Sequence, residues 1–174
     1  MDNDFFIKNS FSKFVEITGE DKENFLQGLI TNDILKCKED NPIYACLLSP
    51  QGKFLADFFI INQSNKFLIE IHKVYFGSFL EKLNLYKLKS KVNFNENKNI
   101  YSITFFSNKI IDMPKNIIFF TDPRKKNIGK KLIINKNDLI LIKNFNEKSY
   151  DIYKEILIKN LVPNSTEDLI VNKS

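Results

Sequence analysis

Residues 54–61 read Phe-Leu-Ala-Asp-Phe-Phe-Ile-Ile, seven apolar side chains interrupted by one carboxylate. A run of this length, rich in aromatic and β-branched residues, predicts a strand. Side chains alternate along a strand. Asp57 therefore shares a face with Leu55, Phe59 and Ile61, while Phe54, Ala56, Phe58 and Ile60 take the other. Neither face reads as solvent-facing. A carboxylate buried without a partner is costly or takes up a proton. Asp57 is thus either a structural residue bonded to nearby backbone N–H groups, or a cavity-lining residue that meets a polar ligand.

The flanks extend this strand into a sheet. Ser49-Pro50-Gln51-Gly52 is a turn signal, with Pro at its second position and Gly at its fourth. It joins the strand to an earlier apolar run at 43–48. Asn62-Gln63-Ser64-Asn65 turns into a third run at 66–71, giving a three-stranded antiparallel meander. Residues 14–17 predict a short strand. Thr18 and Asp21 resemble a capping box, and Phe25, Leu26, Leu29 and Ile30 recur at helical spacing, so 20–30 is expected to be helical. Phe76, Phe79, Leu80, Leu83 and Tyr86 mark a helix over 73–87. Further strands are expected at 91–94, 100–106, 117–120, 132–135 and 139–142. Tyr150, Tyr153, Ile156, Leu157 and Leu161 mark a last helix, and the chain is polar after Pro163. Strands and helices mix without strict alternation. The expected class is α+β, with antiparallel meander sheets and packed helices.

Composition narrows the chemistry. With 43% hydrophobic residues and 17 Phe in 174 residues, the chain can bury a real core. No apolar run approaches ~18 residues, so no membrane-spanning helix is expected. The acidic start Met-Asp-Asn-Asp lacks the basic segment of a secretion signal, and a cytoplasmic location is the expectation. Two Cys and one His fall short of a protein-only zinc or iron–sulfur site, so no metal is assigned. The net charge is +5, but Arg124 is the only arginine. Nucleic-acid readers favour Arg, so direct nucleic-acid binding is not expected.

Several residues admit two local readings. Gln27, Asn32 and Asp33 flank the end of the first helix, either as capping and turn residues or as ligand contacts. Tyr44 lies on the strand next to that of Asp57, and its ring either packs in the core or stacks on a planar ligand. Cys46 is expected in the core, Cys37 exposed in a Lys-rich loop, and His72 at the surface. Arg124, Lys125, Lys126, Lys130 and Lys131 form either a solvated hairpin or an anion patch for a polyglutamate tail or RNA phosphate.

Together these segments resemble the YgfZ-type folate-binding family. Thr18-Gly19-Glu20-Asp21 followed by Phe25-Leu26-Gln27-Gly28-Leu29-Ile30-Thr31-Asn32-Asp33 is similar to its "ITGxDAxxFLQGxxTND" opening. Tyr44 to Phe58 resembles its "YxxxLxPQGRxLxDF" hairpin, Tyr86 to Val92 its "YxLRxKV" segment, and Asp122-Pro123-Arg124 with Gly129 and Lys131 its "DPRxxxLGxR". The resemblance spans roughly residues 14–170. The family's "KGCYxGQE" motif, which precedes a C-terminal barrel, does not occur in the chain.

The family is related to the aminomethyltransferase (T-protein) of the glycine cleavage system. The resemblance implies one folate-binding region over residues 1–174, built as a single body or as two intertwined lobes. It implies a pocket for tetrahydrofolate or a one-carbon derivative, and a role in iron–sulfur protein maturation or repair, indirectly touching tRNA modification. Partners would be the folate and iron–sulfur client or assembly proteins. By position, Tyr44 matches a pterin-side Tyr of the T-protein. Asp57 matches the carboxylate near the reacting folate nitrogen and is the one candidate catalytic residue. Asp57 matches the second Asp of the T-protein's "GGxxDD" motif, while Ala56 replaces the first and Pro50-Gln51-Gly52 the Gly-Gly turn, as in the YgfZ branch. The folate-binding set is then Tyr44, Asp57, Gln27, Asn32, Asp33 and Gln51, with Arg124, Lys126 and Lys131 as the anion patch. Two other readings remain, aminomethyl transfer to tetrahydrofolate and a scaffold that binds no ligand.

Overall fold

The computed structural model of the chain describes residues 4–107, 114 and 117–174. In chain order these form β1 (Phe5–Lys8), β2 (Ser12–Thr18), α1 (Lys22–Gln27), β3 (Ile43–Leu48), β4 (Phe54–Gln63), β5 (Lys66–His72) and α2 (Lys73–Lys87). Then come β6 (Asn93–Glu96), β7 (Ile100–Phe106), β8 (Ile118–Thr121), β9 (Lys130–Asn135), β10 (Asn146–Glu147), α3 (Tyr150–Lys159) and α4 (Ser165–Asp168). Short 3-10 turns cover Ile34–Lys36, Lys126–Ile128 and Lys136–Ile142. The class is α+β with antiparallel sheets.

The chain divides into two compact units whose segments interleave, one of residues 1–10 with 99–163 and one of 11–98 with 164–174. In the second unit the strand order is β3-β4-β5-β2-β6, antiparallel throughout. The meander of β3, β4 and β5 forms where the alternating runs predict it. One face of this sheet carries Val15, Ile17, Ala45, Leu47, Phe58, Ile60, Ile69 and Ile71, covered by Phe25 and Leu26 of α1 and Phe79 and Leu83 of α2. Tyr75, Phe79 and Leu83 are buried at a spacing of four, which places them on one helix face. The Phe58 and Phe79 rings meet at 4.9 Å. His72 caps α2, its Nδ1 accepting the Val74 N–H at 3.2 Å.

The other unit holds the sheet β10-β1-β7-β9-β8, in which only the β1–β10 pair is parallel. Phe6, Ile103, Phe105, Leu132, Ile134 and Ile142 form one apolar cluster, and Ile7, Ile128, Tyr153 and Leu157 a second. Phe6 and Ile7 alternate between the two, so apolar side chains cover both faces of β1.

Several elements differ from those the sequence predicts. The first helix stops at Gln27 rather than residue 30, because residues 30–32 pair with the edge of β3 instead. Asp21 occupies the N-cap, but its Oδ2 accepts the Lys91 N–H at 2.7 Å rather than closing a capping box. The strand expected at 91–94 lies at Asn93–Glu96, paired with β2. Residues 139–142, read as a strand, belong to a 3-10 turn that exposes Ile140 and Leu141 and buries Ile142. The strands β1 and β10 lie where the sequence pattern marks none.

Gly19 fixes the joint between β2 and α1. Its φ is +112°, and a Cβ there would lie 2.0 Å from the Lys91 carbonyl oxygen, so only glycine fits. Gly19→Ala should therefore destabilise the fold by at least about 2 kcal/mol, through strain at positive φ plus the backbone clash. Chemical denaturation of the two proteins checks this; an unchanged midpoint would contradict it.

Candidate functional site

In β3 and β4, Cys46 pairs with Asp57 and Tyr44 with Phe59, which puts Tyr44, Cys46, Asp57 and Phe59 on one face of the sheet. It is the face opposite to the Phe58 cluster. Tyr44 and Asp57 are diagonal neighbours, close enough for a long side chain to bridge. The Tyr44 hydroxyl donates to Asp57 Oδ2 at 2.5 Å, and the Tyr44 ring lies 5.3 Å from that of Phe59, tilted by 57°. Asp57 Oδ1 is buried and has no hydrogen-bond partner among the described residues.

The same row continues across the sheet. Extending the Phe58–Ile71 pairing by one residue brings His72 level with Asp57, and His72 pairs in turn with Ser12. The Ser12 hydroxyl donates to Glu70 Oε1 at 2.7 Å. Cys46, Asp57, His72 and Ser12 thus form a polar row in a largely apolar sheet. Burial holds the His72 imidazole below its ordinary pKa, against the pull of the Asp57 charge, while the neighbouring Lys73 adds to the lowering. Burial pushes the Cys46 thiol up to about 11, and the negative Asp57 pushes the same way. A Cys beside a carboxylate is a poor nucleophile.

Gln27, Asn32 and Asp33 lie near one another but spend their side chains on backbone. Gln27 Oε1 accepts the Ile34 N–H at 2.7 Å. Asn32 Nδ2 donates to the Tyr44 carbonyl at 2.9 Å, and its Oδ1 accepts the Asp33 N–H at 2.8 Å. Asp33 Oδ1 accepts the Leu35 N–H and caps the 3-10 turn. Thr31 donates its N–H to the Cys46 carbonyl, and its hydroxyl accepts the Cys46 N–H at 2.9 Å. The whole segment closes the outer edge of β3, which the sheet leaves open. Gln51 sits in the exposed turn between β3 and β4.

Three expectations need correction. Cys37 is buried rather than exposed, at 2% of its free surface, and its Sγ donates to the Ile60 carbonyl at 3.3 Å. Burial pushes its thiol up to about 11. The flanking lysines suggested a solvated loop, but the turn Ile34–Lys36 points Cys37 inward. His72 is half-buried and serves as the cap of α2 rather than lying free at the surface. Arg124, Lys126 and Lys131 do not share an exposed surface. Arg124 Nε and Nη2 donate to the fully buried Asp122 carboxylate at 3.0 and 2.8 Å, and Nη2 also donates to the Tyr153 hydroxyl. Lys131 is buried at 4%, and only Lys126 of the three is exposed. Among the described residues no three His, Cys, Asp or Glu come together to hold a metal ion, and no helix is long and apolar enough to cross a membrane.

Comparison with known proteins follows the same lines. No family model matches the chain. The iron–sulfur cluster assembly factor IBA57 homolog, mitochondrial, of Mycosarcoma maydis is 28% identical over 141 residues, covering 72% of this chain and 35% of that protein. Its namesake from Coccidioides immitis is 35% identical over 95 residues, covering 46% of the chain and 22% of that protein. The chain therefore spans well under half the length of the curated relatives it matches. In structure it is similar to the glycine cleavage system aminomethyltransferase T of Bartonella henselae, with a TM-score of 0.67, 11% identity, and coverage of 84% of this chain and 47% of that one. At that identity the likeness shows the fold.

Thiol reactivity tests the electrostatics. With both thiols near 11, about one in a thousand is ionised at pH 8, against roughly a quarter for a free cysteine. Alkylation of the folded protein at pH 8 should run at least about a hundredfold slower than in denaturant, and rise with pH towards 11. Labelling of either cysteine at the free-thiol rate at pH 8 would contradict the burial described.

Proposed function

This chain is YgfZ/GcvT-like over the stretch it shares with these proteins, and from that premise we propose that it is a tetrahydrofolate-binding accessory protein for iron–sulfur protein maturation. The observation that carries the folate reading is the orphaned Asp57 Oδ1. A buried carboxylate oxygen left without a donor suits a ligand that brings N–H groups, and a folate does so through its pterin ring and amino nitrogens. Tyr44 fixes the other oxygen, so the free one has a set direction. The iron–sulfur reading is supported by the names of the relatives, both cluster assembly factors.

When bound, the folate would supply a carrier for one-carbon groups. The chain's own residues have simpler tasks. Asp57 accepts from the ligand through Oδ1. Tyr44 holds the carboxyl group in place and presents its ring beside Phe59. Gln27, Asn32 and Asp33 act at one remove, by anchoring the loop that fixes β3 and with it Tyr44. Aminomethyl transfer, the activity named for the structural neighbour, would ask Asp57 to orient or deprotonate a folate amine as well as bind it.

Titration calorimetry with tetrahydrofolate tests this reading. Binding is expected, and Asp57→Asn should weaken it by about 1–3 kcal/mol while the protein stays folded, as the loss of a charge-assisted hydrogen bond requires. Tyr44→Phe should weaken it too, by freeing the carboxyl group to rotate. No heat and no thermal shift with millimolar ligand would overturn the reading, as would an Asp57→Asn protein of unchanged affinity.

A further inference from the structure

Helix α2 begins on a cap that itself titrates. His72 holds the N-cap position with an extended backbone, φ −67° and ψ 138°, and its Nδ1 accepts the Val74 N–H at 3.2 Å. Asn, Asp, Ser and Thr are the usual residues there, and they keep their acceptor oxygen across the neutral pH range. An imidazole does not. Only the neutral ring with its proton on Nε2 has a lone pair on Nδ1 to offer.

We propose that His72 is a proton-operated cap on α2, closed when the ring is neutral and opened by acid, and that its charge is coupled to that of Asp57 in the candidate site.

The surroundings oppose the protonated ring. It packs against Phe11 at 5.5 Å and Tyr75 at 6.2 Å. Lys73 follows it, with its ammonium 4.7 Å over the same Phe11 ring, so a second cation already occupies that aromatic surface. The N-terminus of a 15-residue helix is the positive end of its dipole, where a cation is unfavourable. Asp57 acts the other way. It lies level with His72 across β4 and β5, and its charge favours the imidazolium. Glu70 shares this face two residues earlier and accepts from the Ser12 hydroxyl at 2.7 Å. Ser12 itself, opposite His72 on β2, is uncharged, and Cys46 beyond Asp57 keeps its proton, its thiol pushed up to about 11. Burial is the largest influence on the ring and holds it neutral.

The folded chain therefore takes up this proton less readily than the unfolded one, whose histidine titrates near its ordinary 6.5. Stability from the closed cap is full above about pH 6.5 and falls as the pH drops from there to the folded midpoint. His72 is the chain's only histidine. The other displaced groups move away from this window, Glu16 and Glu96 downward, Tyr75 and both thiols upward.

More than one hydrogen bond depends on the cap. The first turn of α2 also holds the 164–174 segment, through the Tyr75 hydroxyl to the Ser165 carbonyl at 2.9 Å, and it is tied to the approach to β2 by the Lys73 N–H to the Phe11 carbonyl at 2.7 Å. Coupling is reciprocal, so an imidazolium at His72 favours the ionised form of Asp57. The inference does not rest on the folate reading, since it concerns the charge of Asp57 and not its ligand.

NMR of the full chain tests it. In neutral solution the His72 ring should be the Nε2–H tautomer, and its titration midpoint should lie below 6.5. Val74 amide exchange, corrected for its intrinsic rate, should quicken about threefold or more between neutral pH and about one unit below that midpoint. His72→Asn, which caps without titrating, should lack this response. His72→Ala should melt lower than the parent at neutral pH, by a margin that narrows in acid. Asp57→Asn should lower the His72 midpoint. An Nδ1–H tautomer, a midpoint at or above the ordinary histidine value, Val74 exchange indifferent to pH, an Asn variant that responds as the parent does, a constant Ala margin, or an unmoved midpoint in Asp57→Asn would each overturn it.

Discussion

The register of β3 against β4 is the constraint on which the candidate site depends. With Cys46 opposite Asp57, the carboxyl group falls on the face of Tyr44 and Phe59. A slip of one residue would carry Asp57 into the cluster of Phe58 and Phe79 and turn Phe58 outward. The turn Ser49–Gly52 sets the pairing, through the Gly52 N–H to the Ser49 carbonyl and the Ser49 N–H to the Lys53 carbonyl, both 2.8 Å. A register shift between Leu47 and Leu48 absorbs the mismatch where turn meets ladder. With apolar side chains buried on both faces of β4, it is the placing of Asp57 outside the Phe58 cluster that makes the slipped register expensive.

An edge strand needs its outer groups satisfied, and β3 is an edge. The segment Gly28–Asp33 meets that need with side chains as much as with backbone. Thr31 both donates to and accepts from Cys46, and Asn32 reaches the Tyr44 carbonyl. Thr-Asn-Asp is therefore a structural sequence as it stands here. Each residue type is short and polar and carries an oxygen or amide close to its own backbone, which suits turns. Its influence on Asp57 is indirect and passes through the position of Tyr44.

The meander and α2 were legible because their signals are local. A run alternating over eight residues, or apolar groups every four, reports its own geometry. The strand β1 was not, because Phe5–Lys8 is short and its partner, residues 103–106 of β7, lies nearly a hundred positions away. Leu139 to Ile142 misled because a short apolar run does not distinguish a strand from a tight helical turn. Cys37 misled for the opposite reason. Its neighbours Lys36 and Lys38 are polar, but the carbonyl that receives its thiol belongs to Ile60, on a different strand. At the candidate site, the sequence marked Asp57 as anomalous and Tyr44 as its neighbour. It could not show that Gln27, Asn32 and Asp33 have their side chains committed to backbone groups.

Charge shows the same gap between counting and access. The basic residues 124–131 look like a patch in sequence, yet Asp122 holds Arg124 and strand pairing buries Lys131. Only cations left outside such pairs can meet a ligand. The converse holds for Asp57. The polar groups of the neighbouring loop are matched almost one to one, so the surroundings could satisfy a carboxylate. Leaving one oxygen of Asp57 buried and unmatched costs about 1–3 kcal/mol, which Asn or an apolar residue in its place could reduce. A chain shaped only for stability has no reason to keep that cost beside a strand edge whose loop, Thr31 to Asp33, has its side chains bonded. At Asp57 the local rule fails at a residue whose chemistry a ligand could complete, and a functional site is where such a rule is expected to break.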